Sequence, residues 1–401
     1  MAITLPAASA RHMDDKVTPA VPFGGADEGA ELRLRLTLAA GRIAALHIDN
    51  RRPAALLDVL RGYHADAVPD LVRRLFPICG SAHALACARA IAAARGDASP
   101  VDASAKRDLL WAELAVAHGW RSLIDWRALL GQSPRTRELR QLIDAAARLR
   151  AVRPSDPQSP LARSERADAL RDLAAHLQLA VFGESAPRAT HAAVLCEWVG
   201  TTENPLRDLL DAIRESPLAS VRPPDARLLA MPSAEWFAQR LSADPEFGRQ
   251  PSADGVPAEV GAYADCAAGE RRIFDTAGAL GARLLAMLAA AATLIAALRD
   301  AALRTQPPMP TNAVPMAPDS GCAVVATVRG PLAYWVQLDG ERIAGLRSVA
   351  PTEWALHPRG SLSQVLVGLP AEGAQRMVRL AAAAFDPCAV LGVEMEHMTH
   401  A

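Results

Sequence analysis

From Leu32 to Ile48 apolar and polar residues alternate. Leu32, Leu34, Leu36 and Leu38 are separated by Arg and Thr, and beyond Gly41-Arg42 the apolar positions return at Ile43, Leu46 and Ile48. A period of two belongs to a half-buried strand, so this stretch predicts a hairpin with its turn at Gly41-Arg42. Pro53 then opens a short helix over Ala54 to Leu60. A second helix starts near Pro69, and Pro77 is expected to break or kink it just before Cys79. A third, Ala82 to Arg95, carries His83 and Cys87.

Across the middle the period lengthens to that of helices: Lys106 to His118, Thr136 to Arg150, Leu161 to Val181 and a long helix from about Glu270 to Arg304. Residues 215–257 are interrupted by proline and charge and read as more loop than element. Pro-rich joints near 153–160 and 307–318 read as extended linkers. After the second joint the period returns to two. Cys322 to Val328, Leu332 to Leu338 and Arg342 to Ser348 read as strands, with Asp339-Gly340 a hairpin turn, and Ala371 to Ala384 as a final helix. The fold class expected is α+β: a large central helical bundle with a small sheet built from N- and C-terminal strands. Residues 29–401 are expected to form a single domain behind a mobile segment, 1–28. If strands from both ends share one face, the ends meet, and Cys79 is brought to Cys388.

Composition narrows the function. The chain has 401 residues, 51% hydrophobic but only 4% aromatic, with a formal net charge of −1. That balance supplies no drive toward nucleic acid or an anionic membrane. Residues 1–20 lack the uninterrupted apolar core of a signal peptide. The stretch Ala277 to Leu298 has the length to cross a bilayer, but its alanine content and Arg283 favour a buried helix. The six cysteines (79, 87, 196, 266, 322 and 388) include no Cys-x-x-Cys, so reduced thiols in the cytoplasm are the expectation.

Several segments then carry a resemblance. Glu28-Gly29-Ala30-Glu31-Leu32-Arg33, Asp49-Asn50-Arg51-Arg52-Pro53, Arg74 to His83, Arg329-Gly330-Pro331 through Val349-Ala350-Pro351-Thr352-Glu353-Trp354, and Phe385-Asp386-Pro387-Cys388 occur in this order. Together they resemble the large subunit of nickel–iron hydrogenases. In that family four cysteines hold nickel and an iron that carries cyanide and carbonyl. Here the resemblance puts Phe76 where the first cysteine stands, keeps Cys79 and Cys388, and puts Leu391 where the fourth stands. Glu394 falls where the family's C-terminal processing signal is read, and few residues follow it, so no cleavable tail is expected.

The departures look more like the hydrogenase-formation accessory proteins of the HupK/HoxV type, which Trp120-Arg121-Ser122-Leu123-Ile124-Asp125-Trp126 and Glu259-Val260-Gly261-Ala262-Tyr263 also resemble. The resemblance implies a non-catalytic maturation scaffold. It would bind or assemble an iron–cyanide–carbonyl precursor transiently, without stoichiometric nickel, and pass it to the large-subunit precursor. Its partners would be that precursor, small hydrogenase maturation chaperones and iron-cofactor assembly proteins. Cys79 and Cys388 would be the metal ligands. His83, one helical turn beyond Cys79, and Arg329, donating hydrogen bonds to cyanide, would be cofactor-binding. Two other readings stay open: a metal-free chaperone or docking paralogue, and a catalytic subunit with a reduced ligand set. Cys87, Cys196, Cys266 and Cys322 are expected only to pack.

Overall fold

The structure is a computed structural model that describes residues 32–50, 54–76, 78–97, 103–152, 159–303, 311–388 and 391–397. The alternation near the start of the chain produces a hairpin. β1 (Leu32–Ala39) and β2 (Arg42–Asn50) pair antiparallel with a bulge between Thr37 and Leu38. The turn is Ala40-Gly41, one residue earlier than expected, and both residues have positive φ (49° and 71°), the geometry whose twist matches the flanking strands. Leu32, Leu34 and Leu36 are fully buried, while the intervening Arg33 and Arg35 are only half-buried.

Two short strands, β3 (Arg227–Leu228) and β4 (Ala258–Glu259), pair with each other. The C-terminal strands β5 (Thr311–Pro315), β6 (Ser320–Thr327), β7 (Gly330–Asp339) and β8 (Arg342–Val349) form an antiparallel sheet in that order. The last strand, β9 (Leu391–His397), was not anticipated. It runs parallel to β1, from Leu32 opposite Leu391 to Leu38 opposite His397. The first and last described strands therefore do meet, but on the three-stranded sheet β2-β1-β9. The larger sheet stands apart from it. Arg33 and Arg35 on β1 pair with Glu394 and Glu396 on β9 across this junction.

Helices α1 (Val68–Leu75), α2 (Gly80–Ala94) and α3 (Ala103–Trp120) follow the hairpin. A 3₁₀ helix occupies Ala54–Leu60; Pro53 and Pro77 lie outside the described residues, as does the 1–28 segment. α2 lies on one face of the four-stranded sheet, where Leu85, Ala86 and Ala90 pack with Val325, Leu332, Tyr334 and Val336. The approach is so close that a Cβ on Gly321 would sit 2.4 Å from the Ala94 nitrogen. On the other face Phe237 and Trp354 pack with Cys322, Val324 and Ala333. Phe237 belongs to a helix, Ala234–Ala243, inside the stretch expected to be loop. The Ser233 hydroxyl accepts from the Trp236 N–H and caps it.

The helices at 136–151, 160–182 and 278–303 build the main core with α3 and the buried leucines of β1. The helix expected over 270–304 is interrupted. It runs as Ala268–Phe274, a 3₁₀ turn, then Gly278–Leu303, with Gly278 at φ 79°. The stretch 268–303 is long and apolar enough to cross a membrane, and 72% of its apolar window is buried in the core.

Candidate metal centre

α1 ends at Leu75, and after Phe76 the chain re-enters a helix with Cys79 as its N-cap residue. The C-terminal helix, Ala374–Phe385, stops because Asp386 adopts the left-handed conformation (φ 45°, ψ 57°), and Pro387 follows. The Cys388 N–H then donates to the Thr352 hydroxyl at 3.1 Å. The result brings Cys79 Sγ to 3.7 Å from Cys388 Sγ. Two sulfurs at that separation can both lie ~2.3 Å from one metal ion and subtend roughly 107° there, close to a tetrahedral angle. None of the six cysteines is in a disulfide. Cys87 and Cys322 are buried, and Cys196 and Cys266 pack at the edge of the main core.

Sharing a hydrogen bond with Cys388, and then burial, push the Cys79 thiol well above its ordinary value, while Arg329 works in the opposite direction. Arg329 is itself held charged. Burial opposes its charge, but Asp386, Cys388, Cys79 and Asp125 outweigh burial and raise it. Its Nε donates to the Asp386 carbonyl at 2.9 Å and lies 3.1 Å from that carboxylate. Gly261 makes this position possible: it has φ 96°, and a Cβ on it would stand 2.5 Å from the Arg329 carbonyl oxygen.

A second guanidinium, from Arg121, bonds the same Asp386 carboxylate. Arg121 is 3% exposed, donates to His118 Nδ1 at 3.2 Å, and its Nε has no partner among the described residues. It starts a π-helical turn, Arg121–Asp125, a distortion that often marks a functional site. Burial, Arg121 and Arg329 hold His118 well below its ordinary value, so it is neutral. Two cations thus share the Asp386 carboxylate beside the thiols, with the Asp125 carboxyl close by; while Asp125 is protonated the surplus positive charge suits an anionic occupant or deprotonated sulfur.

Asp125, whose Oδ1 accepts from Trp120 Nε1 at 3.0 Å, is pushed up to about 7 by burial and then by the charge of Asp386. The folded chain therefore holds this proton more tightly than an unfolded chain, whose carboxyl titrates near 3.8. Stability should fall as pH rises from about 4 to about 7 and then level off. Asp125→Asn should flatten that slope and be more stable than wild type at pH 8 by roughly 2–4 kcal/mol. Denaturant titrations at stepped pH check both effects.

His83 is 2% exposed. Its ring stacks on Phe76 with centroids 3.8 Å apart and planes 7° from parallel, and its Nδ1 is 2.7 Å from the Tyr334 hydroxyl. Burial raises the Tyr334 phenol well above its ordinary value, so it stays protonated. The side chain at the position that the resemblance gives to the first cysteine therefore covers a face of His83. Of the residues singled out in the sequence, Cys79, Cys388 and Arg329 are brought together, and His83 backs the Cys79 turn. Arg121, Asp125, and Asp386 as a double acceptor, were not foreseen. A cavity of about 40 Å³ adjoins Arg329, Asp386 and Thr352 and extends to Glu259 and Arg283.

A scan against known protein families finds no match. Among curated proteins, the hydrogenase expression/formation protein HoxV of Cupriavidus necator is 30% identical over 90% of this chain and 95% of its own length. The chain belongs to the HoxV/HupK family of hydrogenase expression/formation proteins. Its HupK relatives include those of Bradyrhizobium diazoefficiens, 28% identical over 92% of this chain and 98% of theirs, and Azotobacter vinelandii, 27% identical over 91% and 98%.

Among solved structures, the Ni-Fe-Se hydrogenase of Desulfovibrio vulgaris Hildenborough in its reduced state matches with a TM-score of 0.56 at 14% identity, over 88% of this chain and 94% of that one. Its as-isolated oxidized form gives 0.55 at 15%, over 88% and 95%. The fold is therefore that of a hydrogenase large subunit, α+β as expected.

Proposed function

We propose that this member of the family is a non-catalytic, cytoplasmic scaffold that binds an iron–cyanide–carbonyl precursor through Cys79 and Cys388 and passes it to a hydrogenase large-subunit precursor. The observation that carries the reading is the 3.7 Å approach of two sulfurs separated by most of the chain, beside the half-buried Arg329. An iron already carrying strong diatomic ligands needs few protein donors, and two thiolates supply them. The cavity beside Arg329 has room for a few groups of water size, which suits small ligands. There the Arg329 guanidinium would donate hydrogen bonds to anionic cyanide nitrogen atoms. Through Phe76 and Tyr334, His83 would hold the Cys79 turn in place against the incoming iron.

Binding requires loss of the thiol protons. The positive charge of Arg329 favours the deprotonated sulfurs, and iron completes the compensation. Release follows from the same count. A four-thiolate acceptor outbids a two-thiolate donor for the same iron, so cargo moves down an affinity gradient without a catalytic step. The chain contains no Cys-x-x-Cys, which leaves nickel without a closed thiolate set. Small maturation chaperones and iron-cofactor assembly proteins would load the site.

The test is a transfer experiment. Protein purified from cells that contain the maturation proteins is mixed with iron-free large-subunit precursor, and the two are separated again. The iron-bound cyanide and carbonyl infrared bands should leave this protein and reappear on the precursor. Bands that stay in place with a competent precursor count against the scaffold role.

A further inference from the structure

The first turn of α2 is built unusually, and the way it is built concerns Cys79. A helix leaves its first N–H groups without intrahelical partners, and the side chain of the N-cap residue normally accepts from the second or third of them. Here the N-cap residue is Cys79, and its sulfur makes no capping bond. The oxygens come instead from Glu113 on α3. Oε2 accepts from the Ser81 N–H at 2.6 Å and Oε1 from the Ala82 N–H at 3.1 Å. One carboxylate from a neighbouring helix thus does what the Cys79 side chain would otherwise do.

The other side of the same turn is closed by α1. A Cβ on Gly80 would lie 2.5 Å from the Arg73 carbonyl oxygen, so the backbone is in contact there with no room to move toward α1. The turn is held between a wall and a bidentate acceptor. Its sulfur, relieved of capping, points to Cys388 at 3.7 Å.

We propose that Glu113 is the positioning residue of the thiol pair: by capping α2 from outside, it fixes where Cys79 stands relative to Cys388. Glu113 sets the separation from one side, and the Arg121–Asp386 bond sets it from the other. α3 and the π-turn that continues it thereby act as the frame that spaces the two sulfurs for one metal ion. The meaning for cargo rests on the scaffold reading; the positioning itself does not, and its test uses metal-free protein.

The measurement is the rate of Cys79–Cys388 disulfide formation with diamide in the full chain, read as the linked peptide by mass spectrometry. The two S–H bonds break, an S–S bond forms, and both hydrogens with the electron pair reduce the N=N bond of diamide to a hydrazine. The Glu113 carboxylate also raises the Cys79 thiol, so each linkage rate is divided by the rate at which iodoacetamide labels Cys79 in the same background carrying Cys388→Ala; the corrected rate reports how often the sulfurs meet, independently of iron. Glu113→Ala should slow linkage about tenfold or more, and Glu113→Gln, which keeps one acceptor oxygen, by roughly threefold.

Asp108→Ala is the control. It breaks another bonded pair on α3, Asp108 with Arg166, without touching the α2 turn. It should leave the linkage rate within about twofold of wild type at matched folded fraction. Equal slowing in Asp108→Ala and Glu113→Ala, or a wild-type rate in Glu113→Gln, overturns the proposal. If Glu113→Ala fails to fold, Glu113→Gln alone decides it.

Discussion

Cys79→Ala and Cys388→Ala should each abolish the infrared bands of iron-bound cyanide and carbonyl, in protein made alongside the maturation proteins. The size of the effect follows from the geometry. Sulfurs held 3.7 Å apart would grip one ion as a chelate, the second bond forming at the high effective concentration set by the fold. Removing one sulfur leaves a single thiolate, and retention should fall by orders of magnitude rather than by a fraction. Both variants should remain folded, because each replacement is small and the Cys388 N–H keeps its bond to the Thr352 hydroxyl in alanine. Circular dichroism on the same samples separates lost ligands from lost structure. Bands of wild-type intensity in either variant would remove that cysteine from the ligand set.

Glu259→Ala should be strongly destabilising. Glu259 and Arg283 are 6% and 4% exposed and form a two-pronged pair, with Arg283 Nε 2.6 Å from Glu259 Oε1. The Ser361 hydroxyl donates to the same carboxylate at 2.8 Å. The guanidinium lies between the rings of Tyr263 and Phe385, 4.6 and 5.2 Å from their centroids. Deleting the carboxylate would leave a charge enclosed by aromatic rings and helix, at a cost of ~3–5 kcal/mol. A urea titration should show the midpoint falling with little change in slope. Arg283→Met with Glu259→Gln should recover much of the loss, since neither buried charge then remains. The pair lines the cavity beside Arg329, so cofactor retention should weaken in the single variant as well.

The parts of this molecule that were legible in the sequence are those whose signal is local. The alternation of Leu32 to Leu38, the Asp339-Gly340 turn and the uniform helical period of 136–150 each fix an element within a few residues of themselves. β9 was not legible. Its seven residues include Gly392 and two glutamates, and only the distant arginines of β1 make those glutamates favourable in a strand. The helix at 234–243 was hidden by flanking prolines and charge, although Ser233 followed by Ala234-Glu235-Trp236 did carry a cap signal. The break at Gly278 was lost inside an apolar run that looked continuous.

For the site the division is similar. Cys79, Cys388 and Arg329 could be singled out from the motifs around them, and the fold brings them together. Glu113 and Arg121 could not, because each acts across the structure: a glutamate and an arginine on a helix normally read as a solvated face. What makes them different is burial against the two turns that present the sulfurs, which is a tertiary fact. His83 lay between these cases. Its spacing from Cys79 was readable, while the stack on Phe76 and the bond to Tyr334 depend on α2 lying against β7.

In the proposed scaffold, two thiolates and a neighbouring guanidinium hold an iron that carries diatomic ligands. The most direct measurement is the infrared spectrum of the wild-type protein, purified from cells with active maturation proteins, together with its metal content. Cyanide and carbonyl stretching bands should be present, with iron in stoichiometric amount and no stoichiometric nickel. A spectrum without those bands, or equimolar nickel with hydrogen uptake, would contradict the scaffold role.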